Sequence, residues 1–315
     1  MMGLMARLPV HLPDVVDISR WELDEDNPFG PQGAKPKRFV VSPNPTMRPD
    51  LVSGHRYVFK EPAGNRSMQI WSEVIAYRLA RSMGLPVPPA FLATDALGQP
   101  GVLVEFFFGH PGHDPSRFVH AIERFQGLGI TTDFRRGSMR ENIWLTRRHQ
   151  VVDWRSWWAE AIAFDAVIGN TDRHSENWGF LVRVDAQGQA THSLAPVFDN
   201  GTSLGFSIRD EDMPRLTTGA AFGRFIERGT HHCGWLAGND ESAKHPELCR
   251  RFMEVHGRDG TAMDRVIHLR DSTIDDVVHA CSAIEFPIRF TERRADFVSR
   301  LLKAKRDAVI AAIGA

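Results

Sequence analysis

No stretch of this 315-residue chain stays apolar for the roughly 18 residues that a bilayer-spanning helix needs, so no transmembrane segment is expected. Net charge is equally scarce. The 38 basic and 39 acidic side chains leave a balance of −1, which offers no global attraction to nucleic acid or to an anionic membrane. The three cysteines, Cys233, Cys249 and Cys281, include no C-x-x-C pair, and an odd count without close spacing fits a reducing cytoplasm. The opening MMGLMARLPVHLPDVV carries two early prolines and no sustained apolar core, so a secretory signal is not expected there. Lysine is sparse too: Lys35, Lys37, Lys60, Lys244, Lys303 and Lys305 are six of the 38 cations. With arginine as the default cation, a lysine that ends a strand-like run stands out.

What remains is ordinary for a soluble globular protein, with 42% hydrophobic and 24% charged residues. The length allows two domains or one large two-lobed unit. Residues 1–55 are rich in proline and predict loops with a short strand at 39–41, and a second strand follows at 56–59. Over 68–83 the apolar positions Ile70, Trp71, Val74, Ile75, Leu79 and Met83 recur at helical spacing, and Gly84 supplies a stop. Strands follow at 90–93 and 102–108. The segment 109–150 predicts loops with a short helical piece at 115–125. An apolar helix runs through WWAEAIAFDAVIG to Gly169, capped by Asp153 or Ser156. Paired strands are expected at 178–184 and 191–197, loops over 200–245, and closing helices at 274–284 and 291–313. The order predicts a small strand-rich half, 1–107, and a larger, mainly helical half, 108–315.

Between these elements lies a constellation suited to phosphoryl transfer. Asp172 and Asn177 stand five apart on a polar insert, NTDRHSENW, between two apolar segments, and Asp199 ends the apolar run of APVFDNG. Phosphoryl transfer needs a magnesium ion on the phosphates, a cation on the non-transferred phosphates and a carboxylate near the attacking hydroxyl. Asn177 and Asp199 offer hard oxygen ligands for Mg2+, and Asp172 is placed to orient the nucleophile and accept its proton. The D-x-x-x-x-N spacing matches the catalytic loop of protein kinases. A lone Asp–Asn pair in a loop is usually a cap or an Asx turn. The third member, Asp199, and the flanking strands favour chemistry.

Lys60 ends the strand-like RYVFK and Glu73 lies on the next helix, the pattern of a phosphate-contacting lysine held by a helix glutamate. No G-x-G-x-x-G precedes Lys60. The phosphate-covering loop is therefore sought in 30–39, where Gly33 permits close backbone approach and Lys35 or Lys37 supplies charge, or alternatively in 42–54. The adenine of ATP is expected near the strand 102–108, with backbone groups of Glu105 and Phe106 facing the base edge. Arg173 and His174 are expected to steady the catalytic loop through backbone or Asp199 hydrogen bonds. His231, His232, Cys233, His245, Cys249 and His256 crowd one region but lack the paired spacings of a structural zinc site. Trp154, Trp157 and Trp158 read as core. Arg135–Arg136 and Arg147–Arg148 read as solvated surface, with an acidic partner as the alternative.

NTDRHSENW followed by VFDNG resembles the HipA-like bacterial kinases, which are related in motif to phosphatidylinositol 3-/4-kinases. FKEP and WSEVIAYRLARSMGLPVPPAFLA are similar to the lysine strand and following helix of that family, so the likeness covers roughly residues 30–205. The resemblance implies an α+β, protein-kinase-like two-lobed fold, with Asp172 as catalytic base and Asn177 and Asp199 as magnesium ligands. It also implies Lys60 as phosphate contact, Glu73 as its partner, and Gly33-Ala34-Lys35-Pro36-Lys37 as the nucleotide-covering stretch. ATP and Mg2+ follow as ligands, with Ser/Thr of a protein as acceptor. A lipid or small-molecule acceptor, an ATP-binding pseudokinase and a phosphohydrolase remain open, although no basic amphipathic helix suggests a membrane substrate. Two departures stand out. Asn-Gly replaces Phe-Gly after Asp199, and too few residues precede the covering loop for the separate N-terminal subdomain of full-length HipA proteins.

Overall fold

The computed structural model describes residues 15–24, 37–62, 64–130, 137–185, 187–216, 219–236, 241–257 and 262–314. Strands β1 (Val15–Asp17), β2 (Glu22–Leu23), β3 (Lys37–Val41), β4 (Arg56–Lys60), β5 (Ala90–Thr94) and β6 (Pro100–Glu105) form one mixed sheet in the order β1-β5-β6-β4-β3-β2. β1 runs parallel to β5 and every other pairing is antiparallel. Alternation along β4 decides what each face carries. Tyr57 and Phe59 are fully buried in a cluster with Val16, Val40, Leu51 and Leu103, while Val58 and Lys60 turn to the other face. Fully burying each such aromatic contributes about 1.5–3 kcal/mol.

Helix α1 (Gln69–Met83) packs its Trp71, Val74, Ile75 and Leu79 into the main core, beside Val102 and Val104 of β6. Gly84 ends it in the left-handed conformation, φ 70°, returning its N–H to Ala80 and Arg81 carbonyls. Trp71 Nε1 donates to Ile288 O at 2.8 Å, tying α1 to the far end of the chain.

A second, antiparallel sheet holds β7 (Ser116–His120), β8 (Gly179–Val184) and β9 (Ala190–Leu194) in the order β7-β8-β9. Gly179 faces His120, and a Cβ there would lie 2.3 Å from Val119 O, so only glycine lets β7 approach. Helix α2 (Ala121–Gly127) packs on this sheet, and the helices α3 (Met139–Arg148), α4 (Trp154–Ile168), α5 (Gly219–Glu227), α6 (His245–His256), α7 (Ala262–Ile267), α8 (Asp271–Ser282) and α9 (Glu292–Ile313) follow, with α4, α6, α7 and α9 packed on one another and α8 on α9 and α1. Trp157 and Trp158 are core, and the half-buried Trp154 meets Arg147 and Arg155 across its ring. No helix among the described residues is long and apolar enough to cross a membrane.

Several expectations are corrected. The helical piece at 115–125 is a strand, β7, followed by α2, because Ser116–His120 pairs with β8. The loops expected over 200–245 contain α5, whose two glycines mask its helical period. α3 and α6 were concealed by their arginines and histidines, which leave only a narrow apolar stripe. The strand expected over 102–108 ends at Glu105.

Candidate functional site

β4 delivers Lys60 to the α1 side of the sheet, opposite Lys37 on β3 and Val102 on β6. Its Nζ donates to Glu73 Oε1 at 2.7 Å and to Asp199 Oδ1 at 2.9 Å. One ammonium thus joins the strand, α1 and a segment 139 residues further along. Burial works against the charge, yet the Asp199 and Glu73 carboxylates outweigh it and hold Lys60 above the ordinary lysine range. Glu73 is buried, and its second oxygen, Oε2, accepts the backbone N–H of Asn200 at 3.0 Å. The position after Asp199, where an asparagine replaces the expected aromatic residue, therefore anchors the helix glutamate.

Asp199 adopts φ 56°, a left-handed conformation that asparagine and aspartate tolerate best among residues with a Cβ. What holds it there is a buried polar hub. Arg173, 1% exposed, forks onto Asp165 with Nε to Oδ2 at 3.0 Å and Nη2 to Oδ1 at 2.8 Å. The same guanidinium donates to Asn200 Oδ1 at 2.7 Å, to Asn177 O at 3.0 Å and to Phe198 O. One side chain therefore fixes both functional segments, 172–177 and 198–200, to helix α4. Arg173 is expected to steady the loop through backbone or Asp199; its partners are Asp165, backbone carbonyls and Asn200, one residue beyond Asp199.

Asp165 is fully buried. Burial alone would raise its pKa, but the Arg173 charge, the Arg173 hydrogen bonds and the adjacent His231, whose Nε2 lies 3.3 Å from Oδ2, hold it well below the usual carboxylate range. Asn170 Nδ2 also donates to Asp165 Oδ1, at 3.0 Å, while Asn170 Oδ1 accepts the Asp172 N–H at 3.1 Å and Thr202 Oγ1 at 2.8 Å. Beneath the loop, His245 Nε2 meets Asn170 O at 2.8 Å.

The loop's own geometry presents oxygen. Asn177 Nδ2 donates to Asp172 O at 2.7 Å and lies 3.2 Å from His174 Nε2, which turns its amide nitrogen into the loop. Among the described residues no donor reaches Asn177 Oδ1. That oxygen and the Asp199 carboxylate are both hard donors of the type magnesium takes. Asp172 stays 42% exposed at its side chain, with His174 Nε2 at 3.8 Å from its Oδ1. Phe198 stacks on Phe107 at 5.3 Å and meets Phe118 edge-on at 5.4 Å, lining the adjoining space with aromatic surface.

The structure thus brings Lys60, Glu73 and Asp199 into contact, sets Lys37 across the strand from Lys60, and ties Asp172 and Asn177 into one loop locked to Asp199's segment. Gly33 and Lys35 lie outside the described residues. The alternative covering loop, 42–54, leaves β3 at the Arg56 end, four residues or about 13 Å along β4 from Lys60. Its anchor points therefore lie at the opposite end of the β3–β4 pair from Lys60.

Of the backbone groups expected at the base edge, the N–H groups of Glu105 and Phe106 donate to Pro89 O and Arg56 O, and Phe106 O accepts from His55 Nε2 at 2.7 Å. Glu105 points to the Tyr57 face, away from Lys60. The histidine–cysteine crowd parts into separate roles. His231 lies against Asp165, and Cys249 Sγ donates to Ile162 O. Asp165, Asn170 and Asn200 were missed, although a lone carboxylate inside the apolar helix run of α4 is a readable signal.

The model of the HipA-like C-terminal domain matches residues 29–256. Among solved structures, the Helicobacter pylori proinflammatory kinase CtkA is similar over 95% of this chain and 98% of that one, with a TM-score of 0.72 and 17% identity. HipA of Shewanella oneidensis MR-1, solved with HipB and operator DNA, is similar over 93% of this chain and 68% of that one, with a TM-score of 0.49 and 18% identity. No curated protein matches the chain. The fold is the α+β, two-lobed, kinase-like one, and the chain belongs to the HipA-like family.

Proposed function

We propose that this member of the HipA-like family is an ATP- and magnesium-dependent kinase that transfers the γ-phosphoryl group to a hydroxyl of a protein Ser or Thr. It would act in the cytoplasm, with 1–107 as the nucleotide-covering lobe and 108–315 as the catalytic one. The observation that carries this reading is the Lys60 ammonium held between Glu73 and Asp199, with Arg173 locking the Asp172–Asn177 loop to the same segment.

In the proposed reaction Lys60 neutralises the non-transferred phosphates and Glu73 keeps its ammonium in place. Lys37, on the same sheet face, adds a second cation. Asn177 Oδ1 and the Asp199 carboxylate would hold the magnesium ion, which when bound offsets charge on the phosphate oxygens. The acceptor hydroxyl lies against the exposed Asp172 carboxylate. Its oxygen forms a bond to the γ-phosphorus, the bond from that phosphorus to the β,γ-bridging oxygen breaks, ADP leaves, and the hydroxyl proton passes to Asp172. The Phe107, Phe118 and Phe198 cluster supplies an apolar surface for the base.

The test is γ-phosphoryl transfer from labelled ATP with magnesium, including autophosphorylation, in the wild type and in Asp172→Ala and Asp199→Ala. Loss of about 10²–10⁴-fold in either variant is expected. Magnesium-dependent ATP binding without transfer to any acceptor, or transfer equal in all three proteins, would overturn the reading.

A further inference from the structure

On the face of the sheet opposite Lys60, His55, Glu105 and His110 each present a ligand atom, and the three atoms lie within 4.8 Å of one another. The strands dictate this meeting. Glu105 is the register partner of Tyr57, and His55 stands two residues before Tyr57 on the same side. His110 follows on the connection between β6 and β7, and its ring stacks on His55 at 4.2 Å.

Two features are costly unless something fills the site. Glu105 is 6% exposed, and among the described residues no lysine or arginine pairs with it; Tyr57 OH donates to Oε2 at 3.0 Å and His110 Nε2 lies 3.3 Å from Oε1. Buried carboxylates of this kind are paired or coordinate metals. His55 is 1% exposed, and its Nε2 must be the protonated nitrogen because it faces the Phe106 carbonyl at 2.7 Å. Its Nδ1 is therefore a bare lone pair, and it is buried without a partner among the described residues. A backbone carbonyl that fixes the tautomer and frees the other ring nitrogen is the usual support behind a metal-bound imidazole.

We propose that His55, Glu105 and His110 form a divalent transition-metal site, suited to Zn2+, separate from the nucleotide site and on the back of the sheet. Two imidazoles and one carboxylate are a zinc donor set that leaves a fourth position for water. Ligand atoms about 2.0–2.1 Å from a tetrahedral ion sit closer together than 4.8 Å, and stacked rings cannot both aim their in-plane lone pairs at one ion. Capture therefore swings His110, which lies outside any helix or strand, out of its stack. The bound ion clamps the connection leaving β6 onto the start of β4.

The test titrates Zn2+ alone into the full chain against a chromophoric chelator, in the wild type, His110→Ala and Glu105→Gln, and records the Co2+ absorption spectrum of each. Glutamine keeps an acceptor for Tyr57, and position 110 bears on no strand, so both variants are expected to fold. One Zn2+ per chain with four-coordinate Co2+ bands is expected for the wild type, with affinity at least ~10-fold weaker in each variant. The Zn2+-dependent rise in melting temperature at a fixed Zn2+ concentration should be larger in the wild type than in either variant. Absence of one-to-one binding, or equal affinity in all three proteins, would overturn the proposal.

Discussion

Replacing Asp165 with asparagine changes almost no volume, yet it should destabilise the protein by about 3–5 kcal/mol, because it leaves a buried guanidinium without its counter-charge. Arg173 is 1% exposed and has both Nε and Nη2 on the Asp165 oxygens, at 3.0 and 2.8 Å. The new amide would also turn an N–H toward one of those donors. With an unfolding entropy of ~2.1 cal/mol/K per residue, 315 residues give about 0.66 kcal/mol/K, so the loss corresponds to roughly 5–8 °C in melting temperature.

The pH dependence follows from the depressed pKa of Asp165. Such a carboxylate contributes stability that is fully present above its unfolded value near 3.8 and is lost as pH falls through the folded value. The deficit of Asp165→Asn should therefore be fullest between about pH 5 and 6, shrink below about pH 4 as Asp165 protonates, and shrink again above about pH 6.5, because Asp165 helps hold the pKa of His231 up to about 9 and that stabilisation fades as pH rises. Calorimetry across that range, with Arg173→Gln and the double variant, completes a thermodynamic cycle. A melting temperature within a degree of wild type, or single-variant losses that simply add, would refute the reasoning.

His245 is neutral in the fold, its pKa lowered to about 3 by burial and then by the Lys305 and His231 charges. The unfolded chain binds the extra proton below pH 6.5, so stability should fall by about 2 kcal/mol by pH 5 on this account. His245→Gln, which can still donate to Asn170 O, should flatten that slope in urea midpoints at pH 7.5, 6 and 5; an unchanged slope would contradict it. Gly101→Ala would place a Cβ 2.4 Å from Phe59 Cε2 and 2.8 Å from Lys60 O, costing about 1–3 kcal/mol and displacing Lys60. Both the denaturation midpoint and phosphoryl transfer should drop, and an unaltered midpoint would count against the close approach.

Long periodic elements were legible in the sequence. α1, α4, α8 and α9 show apolar spacing over several turns, and Gly84 and Gly169 mark their stops in the left-handed conformation. Short or charge-rich elements were not: β7 read as helix because five residues carry no period that outweighs their pairing with β8.

Along the chain, the site was legible where its chemistry is local. Asp172 and Asn177 share one loop, Asp199 ends one strand-like run, and Lys60 and Glu73 sit 13 residues apart on a strand and the next helix. Sequence alone therefore determined the family, the α+β class and the set of polar groups worth following. Tertiary structure decided which of them meet. It put Lys60 on Asp199 across 139 residues, gave the asparagine after Asp199 to Glu73 and Arg173, and turned Glu105 toward His55. The physical reason is that periodicity reports which face of an element is apolar, whereas partners for buried polar groups depend on strand register and on desolvation at the point of contact. Neither of those is written in the spacing of residues along one element.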